Sequence, residues 1–108
     1  MSETQLSIPG IPPRYFPWAA RTDDIIHRAA QSVGEKADDI KGPCRQPHMV
    51  RARWAVMLAL REAGWSTPRI GRALNNRDHT TVRHGLLKGA ELRATDSKFA
   101  AVCDWVAG

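Results

Sequence analysis

Apolar side chains recur every three or four residues along most of this chain, which is the spacing of amphipathic helices. No segment alternates apolar and polar residues as a half-buried strand does. The pattern predicts helices over residues 23–33, 48–63, 68–74, 78–93 and from Ser97 onward, with a short helical turn over 37–40. On the helix over 78–93, the side chains predicted to face the core are Val82, Leu86 and Ala90. The predicted fold class is all-α, with five or six short helices.

Capping residues and helix breakers delimit these segments. Thr22 precedes the first helix and Gly34 ends it. Pro68 is typical of a helix start, because the N–H that it lacks would have no helical partner there. The Asn-Asn pair at 75–76 predicts a tight turn, and Asp78 is a suitable cap for the helix that follows.

Residues 1–21 differ from the rest of the chain. They contain four of the seven prolines, at positions 9, 12, 13 and 17, and show no helical period. Proline fixes φ and cannot donate a backbone hydrogen bond, so such a segment does not propagate a helix. The sequence predicts an extended N-terminal arm over residues 1–21 and one helical domain over residues 22–108.

Charge is concentrated in the second half of the chain. The net charge is +5, and residues 41–93 hold eleven basic and three acidic side chains, against four and six in residues 1–40. Because the basic block coincides with predicted helices, it indicates a folded positive surface, which attracts polyanions such as nucleic acid. A solvated surface that only maintains solubility is the alternative.

Several other classes of protein are disfavoured. A chain of 108 residues suits one small domain, and it contains no Gly-rich phosphate-binding loop. Cys44 and His48 have no second pair of metal ligands, so we expect no metal or other cofactor. Nothing in the sequence suggests a nucleophile with its base, so we do not expect an enzyme. The longest apolar run has seven residues and the N-terminus lacks signal-peptide features, which predicts a cytoplasmic protein.

Residues 68–81 have the pattern of a helix-turn-helix. A short helix and a turn at 75–77 precede a helix that opens with Asp78, His79, Thr80 and Thr81. A recognition helix reads base edges mainly with its N-terminal residues. A carboxylate accepts from cytosine N4, an imidazole bonds a guanine or thymine acceptor, and a threonine contacts a thymine methyl or a phosphate. Arg77 stands beside the positive end of the helix, where it is placed for a phosphate.

Residues 70–92, IGRALNNRDHTTVRHGLLKGAEL, closely resemble the C-terminal DNA-binding domain of the bacterial replication initiator DnaA. RDHTTV at 77–82 matches that domain's signature, and the resemblance extends over about residues 23–95. It implies a Trp-repressor-like helical fold that binds double-stranded DNA at an asymmetric nonamer, the DnaA box. No counterpart of the initiator's ATPase module is recognisable, so the resemblance implies binding without ATP hydrolysis.

Carried over position by position, the resemblance assigns DNA contacts to individual residues. The major-groove readers fall on Asp78, His79, Thr80 and Thr81, and the minor-groove arginine falls on Arg45, in the basic loop (residues 41–47). Phosphate contacts fall on Arg53, Pro68 (through its backbone), Arg77 and Lys88. Arg83 stands where the family commonly has an apolar residue and adds charge near the groove. Trp54 replaces a frequent glutamine, and its spacing favours the core over a DNA contact.

The arm carries a second resemblance. Gln5-Leu6-Ser7-Ile8-Pro9 is similar to the short peptide with which bacterial proteins dock on the replicative sliding clamp, and is most similar to the N-terminus of Hda, the initiator-inactivating relative of DnaA. The resemblance implies that the Gln5 amide binds the pocket rim while Leu6 and Ile8 fill the pocket. An unstructured leader is the alternative.

These observations lead to one main hypothesis. The chain is expected to be a sequence-specific, double-stranded DNA-binding regulator of chromosome replication initiation, acting at DnaA-box-like sites. One alternative is an adaptor that works through protein contacts with the sliding clamp, an Hda-like protein or DnaA. Another is a helix-turn-helix transcription regulator.

Overall fold

The computed structural model describes the backbone of residues 17–108 and the side chains of residues 22–108. Within these residues the chain forms six helices and no strand, which confirms the all-α prediction: α1 (Pro17–Val33), α2 (Ala37–Lys41), α3 (Pro47–Glu62), α4 (Thr67–Ala73), α5 (His79–Thr95) and α6 (Ser97–Ala107). None of these six helices combines the length and the hydropathy that crossing a membrane requires. Gln5, Leu6 and Ile8 lie outside the described residues, so the clamp-docking peptide stays a prediction.

The first helix begins earlier than the sequence pattern predicts. The pattern indicates a start after Thr22, whereas α1 begins at Pro17, so residues 17–21 belong to this helix rather than to an extended arm. Proline is favourable in the first turn because its φ is already helical and its missing N–H would be unpaired there. The prediction is wrong at this boundary because the apolar period that marks the helix begins only at Ile25.

The core is built around α3, which packs against α1, α5 and α6. All six helices or their caps contribute buried apolar side chains, and those with the least exposure include Ile25, Ile40, Leu60, Ile70, Val82 and Val106. Burying a side chain of this size stabilises a fold by about 1.5–3 kcal/mol relative to leaving it in water. Helices as short as α2 and α4 are marginal alone, so this shared core is what maintains them.

Glycine forms much of the contact between α5 and α3. A Cβ at Gly85 would lie 2.5 Å from Met57 Sδ, and a Cβ at Gly89 would lie 3.1 Å from Leu58 Cδ1. Ala90, which the sequence predicts in the core, is exposed instead. The prediction fails there because an apolar period counts side chains, and the glycines that α5 turns toward α3 have none.

Candidate nucleic-acid interface

A tight turn connects α4 to α5 and completes the predicted helix-turn-helix. Asn75 and Asn76 adopt positive φ angles of 65° and 60°, a conformation that asparagine tolerates better than most residues. The turn then closes on α4, where the Arg77 amide donates to the Gly71 carbonyl oxygen at 2.9 Å. A Cβ on Gly71 would lie 2.2 Å from the Arg77 carbonyl oxygen. Glycine is therefore required at position 71 for this approach.

The N-terminal end of α5 presents polar side chains to solvent. Asp78, His79, Thr80 and Thr81, which we call the reading end, are all exposed. Asp78 occupies the N-cap position as predicted, but its side chain makes no cap hydrogen bond. Its Oδ1 lies instead 3.5 Å from Nδ1 of His79. Four hydrogen-bonding side chains are thus gathered at one helix end, the arrangement that contact with base edges requires.

The exposed surface continues along α5 beyond the reading end. Arg83, His84, Leu87 and Lys88 are all exposed, and Leu87 is the most exposed large apolar side chain of the described residues. Lys88 Nζ lies 3.8 Å from Glu91 Oε1, in a pair whose two side chains are 50% and 72% exposed. Such a pair contributes little in water, so it does not prevent Lys88 from contacting a phosphate.

Arg53 connects α3 to the basic loop through hydrogen bonds to backbone carbonyls. Its Nε donates to the Ile40 carbonyl oxygen at 2.7 Å, its Nη2 donates to Gly42 at 2.8 Å and Asp39 at 3.3 Å, and its Nη1 donates to Cys44. Only 5% of Arg53 is exposed. The phosphate contact predicted for Arg53 would require this enclosed guanidinium to give up hydrogen bonds to backbone carbonyls.

Arg77 reaches the same loop from the other side. Its Nη1 donates to the carbonyl oxygens of Lys41 at 3.0 Å and Leu74 at 2.7 Å, and its Nη2 donates to that of Gly42 at 2.5 Å. The residue is half-buried. Burial lowers the pKa of both guanidinium groups, and the positive charge of Arg77 lowers the pKa of Arg53 further. The phosphate contact predicted for Arg77 would compete with these three hydrogen bonds.

An open groove of about 860 Å³ runs between the basic loop and α5, and we call it the loop groove. Its lining includes four cationic side chains, from Lys41, Arg45, Arg53 and Arg77, together with Thr81 of the reading end, and no Asp or Glu. By contrast, the groove between α1 and α6 is lined by Asp24 and Asp104 as well as Arg28. The positive charge expected from the sequence is therefore concentrated beside the reading end.

Pro68 and Trp54 differ in their exposure to solvent. Pro68 is exposed in the first turn of α4, and because proline has no N–H, a phosphate contact through the backbone at this position would need a neighbouring amide as the donor. Trp54 is half-buried: its Cβ would lie 3.2 Å from a Cβ at Gly89, and the side chain also lines the loop groove. It packs on the core as predicted and keeps an edge at the groove.

Lys41 and His84 line the loop groove although neither belongs to the residues predicted to contact DNA. Lys41 ends α2, within the basic block but outside any motif. His84 lies between Arg83 and Gly85, in the second turn of α5. Only the fold shows that both line the same groove as Arg45, so the local sequence offered no signal beyond the excess of charge.

The two cysteines have different surroundings. Cys44 is half-buried in the basic loop, and Cys103 is buried in α6. Burial raises the pKa of the Cys103 thiol, an effect that a hydrogen bond with Arg93 opposes. Among residues 22–108 no group of three or more His, Cys, Asp or Glu side chains is arranged to hold a metal ion.

Comparison with known proteins gives a consistent set of relatives. The family model described as the bacterial dnaA protein helix-turn-helix matches residues 22–88. The chromosomal replication initiator protein DnaA of Cereibacter sphaeroides is 39% identical over 79 residues, which are 72% of this chain and 17% of that protein. The DnaA protein of Caulobacter vibrioides is 41% identical over 76 residues, 69% of this chain and 16% of its own length. No solved structure matches the chain at a significant level.

Proposed function

The chain belongs to the family of bacterial DnaA helix-turn-helix domains, and from this premise we propose that it binds double-stranded DNA at DnaA-box-like sites and so regulates the initiation of chromosome replication. The observation that carries the proposal is the position of the reading end beside a groove that four cationic side chains line without any carboxylate. The chain spans about one sixth of the initiators it matches. The proposal therefore concerns binding and assigns no ATP hydrolysis to this domain.

Sequence would be read from two sides of the duplex. The major groove admits an α-helix, so α5 would enter it with Asp78, His79, Thr80 and Thr81 leading. Arg45, exposed at the rim of the loop groove, would enter the adjacent minor groove. A cation at that position favours a narrow, A·T-rich minor groove because the potential there is more negative.

Phosphate contacts would hold this register on the duplex. Lys88 and Arg83 are exposed on the face of α5 that points away from the core. Exposed cations near the backbone displace condensed counterions, which supplies affinity that does not depend on sequence. A protein with this chemistry would be found on the nucleoid.

The central experiment is fluorescence anisotropy with a duplex of two helical turns that carries a DnaA box and with a scrambled duplex, at two salt concentrations. His79→Ala should remove most of the preference, since a lost base contact costs roughly 1–3 kcal/mol. His27→Ala is the matched control, because His27 is also an exposed histidine but lies on α1. Equal and steeply salt-dependent binding of the wild type to both duplexes would refute sequence-specific recognition.

An adaptor role is the second candidate function, favoured by the peptide Gln5-Leu6-Ser7-Ile8-Pro9. We propose that Gln5, Leu6 and Ile8 dock on the sliding clamp, with an Hda-like protein or DnaA as the alternative partner. A pull-down with the purified clamp tests this: Gln5→Ala and Leu6→Ala should each reduce the retained clamp. Undiminished capture by both variants would remove the peptide from the proposal.

A further inference from the structure

The basic loop is held by two guanidinium groups that converge on one carbonyl oxygen. Arg53 Nη2 donates to the Gly42 carbonyl at 2.8 Å and Arg77 Nη2 donates to the same oxygen. In residues 22–108 neither arginine has a carboxylate within ion-pair distance. Burying a cation without a counter-charge raises the free energy of the folded state unless other polar groups compensate for the lost water. The carbonyl groups that the two arginines share provide that compensation, which indicates that both residues have a structural role.

Those partners are the carbonyl groups at the end of α2 and the start of the basic loop. Arg53 binds the carbonyls of residues 39, 40, 42 and 44, and Arg77 binds those of residues 41 and 42 as well as that of Leu74 at the end of α4. The last carbonyls of a helix have no intrahelical donor and carry the negative end of its dipole. The two arginines satisfy these groups together, which fixes the loop backbone on both sides of Gly42.

The two arginines also join the loop to the reading end. Arg77 immediately precedes Asp78, the N-cap of α5, and Arg53 belongs to α3, against which α5 packs. Arg45 lies in the loop with its side chain exposed. The hydrogen bonds of Arg53 and Arg77 therefore connect the loop that carries Arg45 with the two helices that position the reading end.

We propose that Arg53 and Arg77 are positioning residues, which hold the basic loop so that Arg45 enters the minor groove while the reading end occupies the major groove. This inference rests on the proposed function. In this proposal Arg53 and Arg77 contribute to DNA binding through the position of Arg45 and not through phosphate contacts of their own. The planar fork of arginine is needed for it, since Arg53 donates through three nitrogens and Arg77 through two, each in a fixed direction that a lysine ammonium cannot reproduce.

The test uses Arg77→Lys, which keeps the charge but loses the fork, in the wild-type and Arg45→Ala backgrounds. If Arg77 acts through Arg45, the substitution should weaken binding to the DnaA box about tenfold in the wild type and less than about twofold when Arg45 is already absent. Arg83→Lys is the matched control, because Arg83 is exposed on α5 and has no bond to the loop. It should change affinity equally in both backgrounds.

A measurement without DNA separates this inference from the proposed function. Steady-state heteronuclear NOE values for the amides of Cys44 and Arg45 should fall in folded Arg77→Lys and in Arg53→Lys, but not in Arg83→Lys. Equal losses of affinity in both backgrounds, or unchanged loop NOE values, would overturn the inference. If the wild type binds the boxed and scrambled duplexes equally, the proposed function fails, and the NOE values still decide whether the two arginines hold the loop.

Discussion

At the scale of single residues, Lys88 gives the simplest electrostatic expectation. Its ammonium is exposed on α5 and has only a weak partner, Glu91, at 3.8 Å. Lys88→Ala should weaken binding to all duplexes alike and reduce the slope of log affinity against log salt by about one, because one fewer phosphate is neutralised. Lys98→Ala, which removes an exposed lysine from α6, should leave the slope unchanged. A change in sequence preference with an unchanged slope would contradict the phosphate role.

Gly71 is the residue whose replacement should do most harm to the helix-turn-helix. An added Cβ would lie 2.2 Å from the backbone oxygen of Arg77, which cannot move away without displacing the turn. Gly71→Ala should lower the free energy of unfolding by about 1–3 kcal/mol and weaken box binding. At Gly42 a Cβ would be 3.4 Å from the Asp39 oxygen, with φ at −78°, so Gly42→Ala should leave stability unchanged or raise it by up to about 1 kcal/mol. Equal chemical-denaturation midpoints for the two variants would contradict the expectation that only position 71 requires glycine.

The arginines show where reasoning from sequence stops at this scale. Arg45 and Arg53 both lie in the basic block, and the resemblance gives both a DNA contact. The structure exposes Arg45 and buries Arg53 among backbone carbonyls. A sequence can reveal a charge, but whether carbonyl groups from a distant segment surround that charge depends on the fold. The motif RDHTTV did suffice to predict an exposed polar end for α5.

At the scale of helices, periodicity and turn chemistry predicted the order and the type of every element. The boundary errors have separate physical causes. α1 extends five residues before Thr22 because Pro17 is favourable in the first turn of a helix. The spacing of apolar residues does not record this preference, so the pattern predicts a later start. The apolar pattern does not predict the whole inward face of α5, because Gly85 and Gly89 form part of that face and have no side chains. Short helices that a shared core stabilises are predicted best where their inward positions carry large apolar side chains.

Two aspartates at helix N-caps should respond to substitution in opposite ways. Asp96 Oδ1 accepts from the amides of Lys98 at 2.9 Å and Phe99 at 3.0 Å, whereas the Asp78 side chain caps nothing. Asp96→Ala should therefore lower the free energy of unfolding by about 1 kcal/mol and leave DNA affinity unchanged. Asp78→Ala should change stability by less than about 0.5 kcal/mol and cost roughly 1–3 kcal/mol of binding to the box. Thermal unfolding and anisotropy on both variants check the pair, and a loss of stability alone in Asp78→Ala would remove it from the reading end.

At the scale of the whole molecule, folding separates the charges more sharply than the sequence does. The carboxylates Asp24 and Asp104 lie in the groove between α1 and α6, while the loop groove has cationic lining and no carboxylate. A polyanion that approaches this molecule is therefore attracted most strongly to the surface that carries Arg45 and the reading end. Orientation on the duplex would be established before any base is contacted.

The modification rates of the two cysteines test the orientation of the protein on the duplex in the wild-type chain. Cys44 is half-buried in the basic loop, whereas Cys103 is buried and its raised pKa leaves less thiolate at a given pH. Because the thiolate is the reactive form, iodoacetamide should modify Cys44 first and reach Cys103 only on unfolding. A duplex with a DnaA box should slow the modification of Cys44, since the loop would lie against the DNA, and should leave Cys103 unaffected. Peptide mass spectrometry over time gives both rates in one sample. If Cys44 reacts equally fast with and without the duplex at saturation, the basic loop does not lie on the DNA and Arg45 cannot be its minor-groove contact.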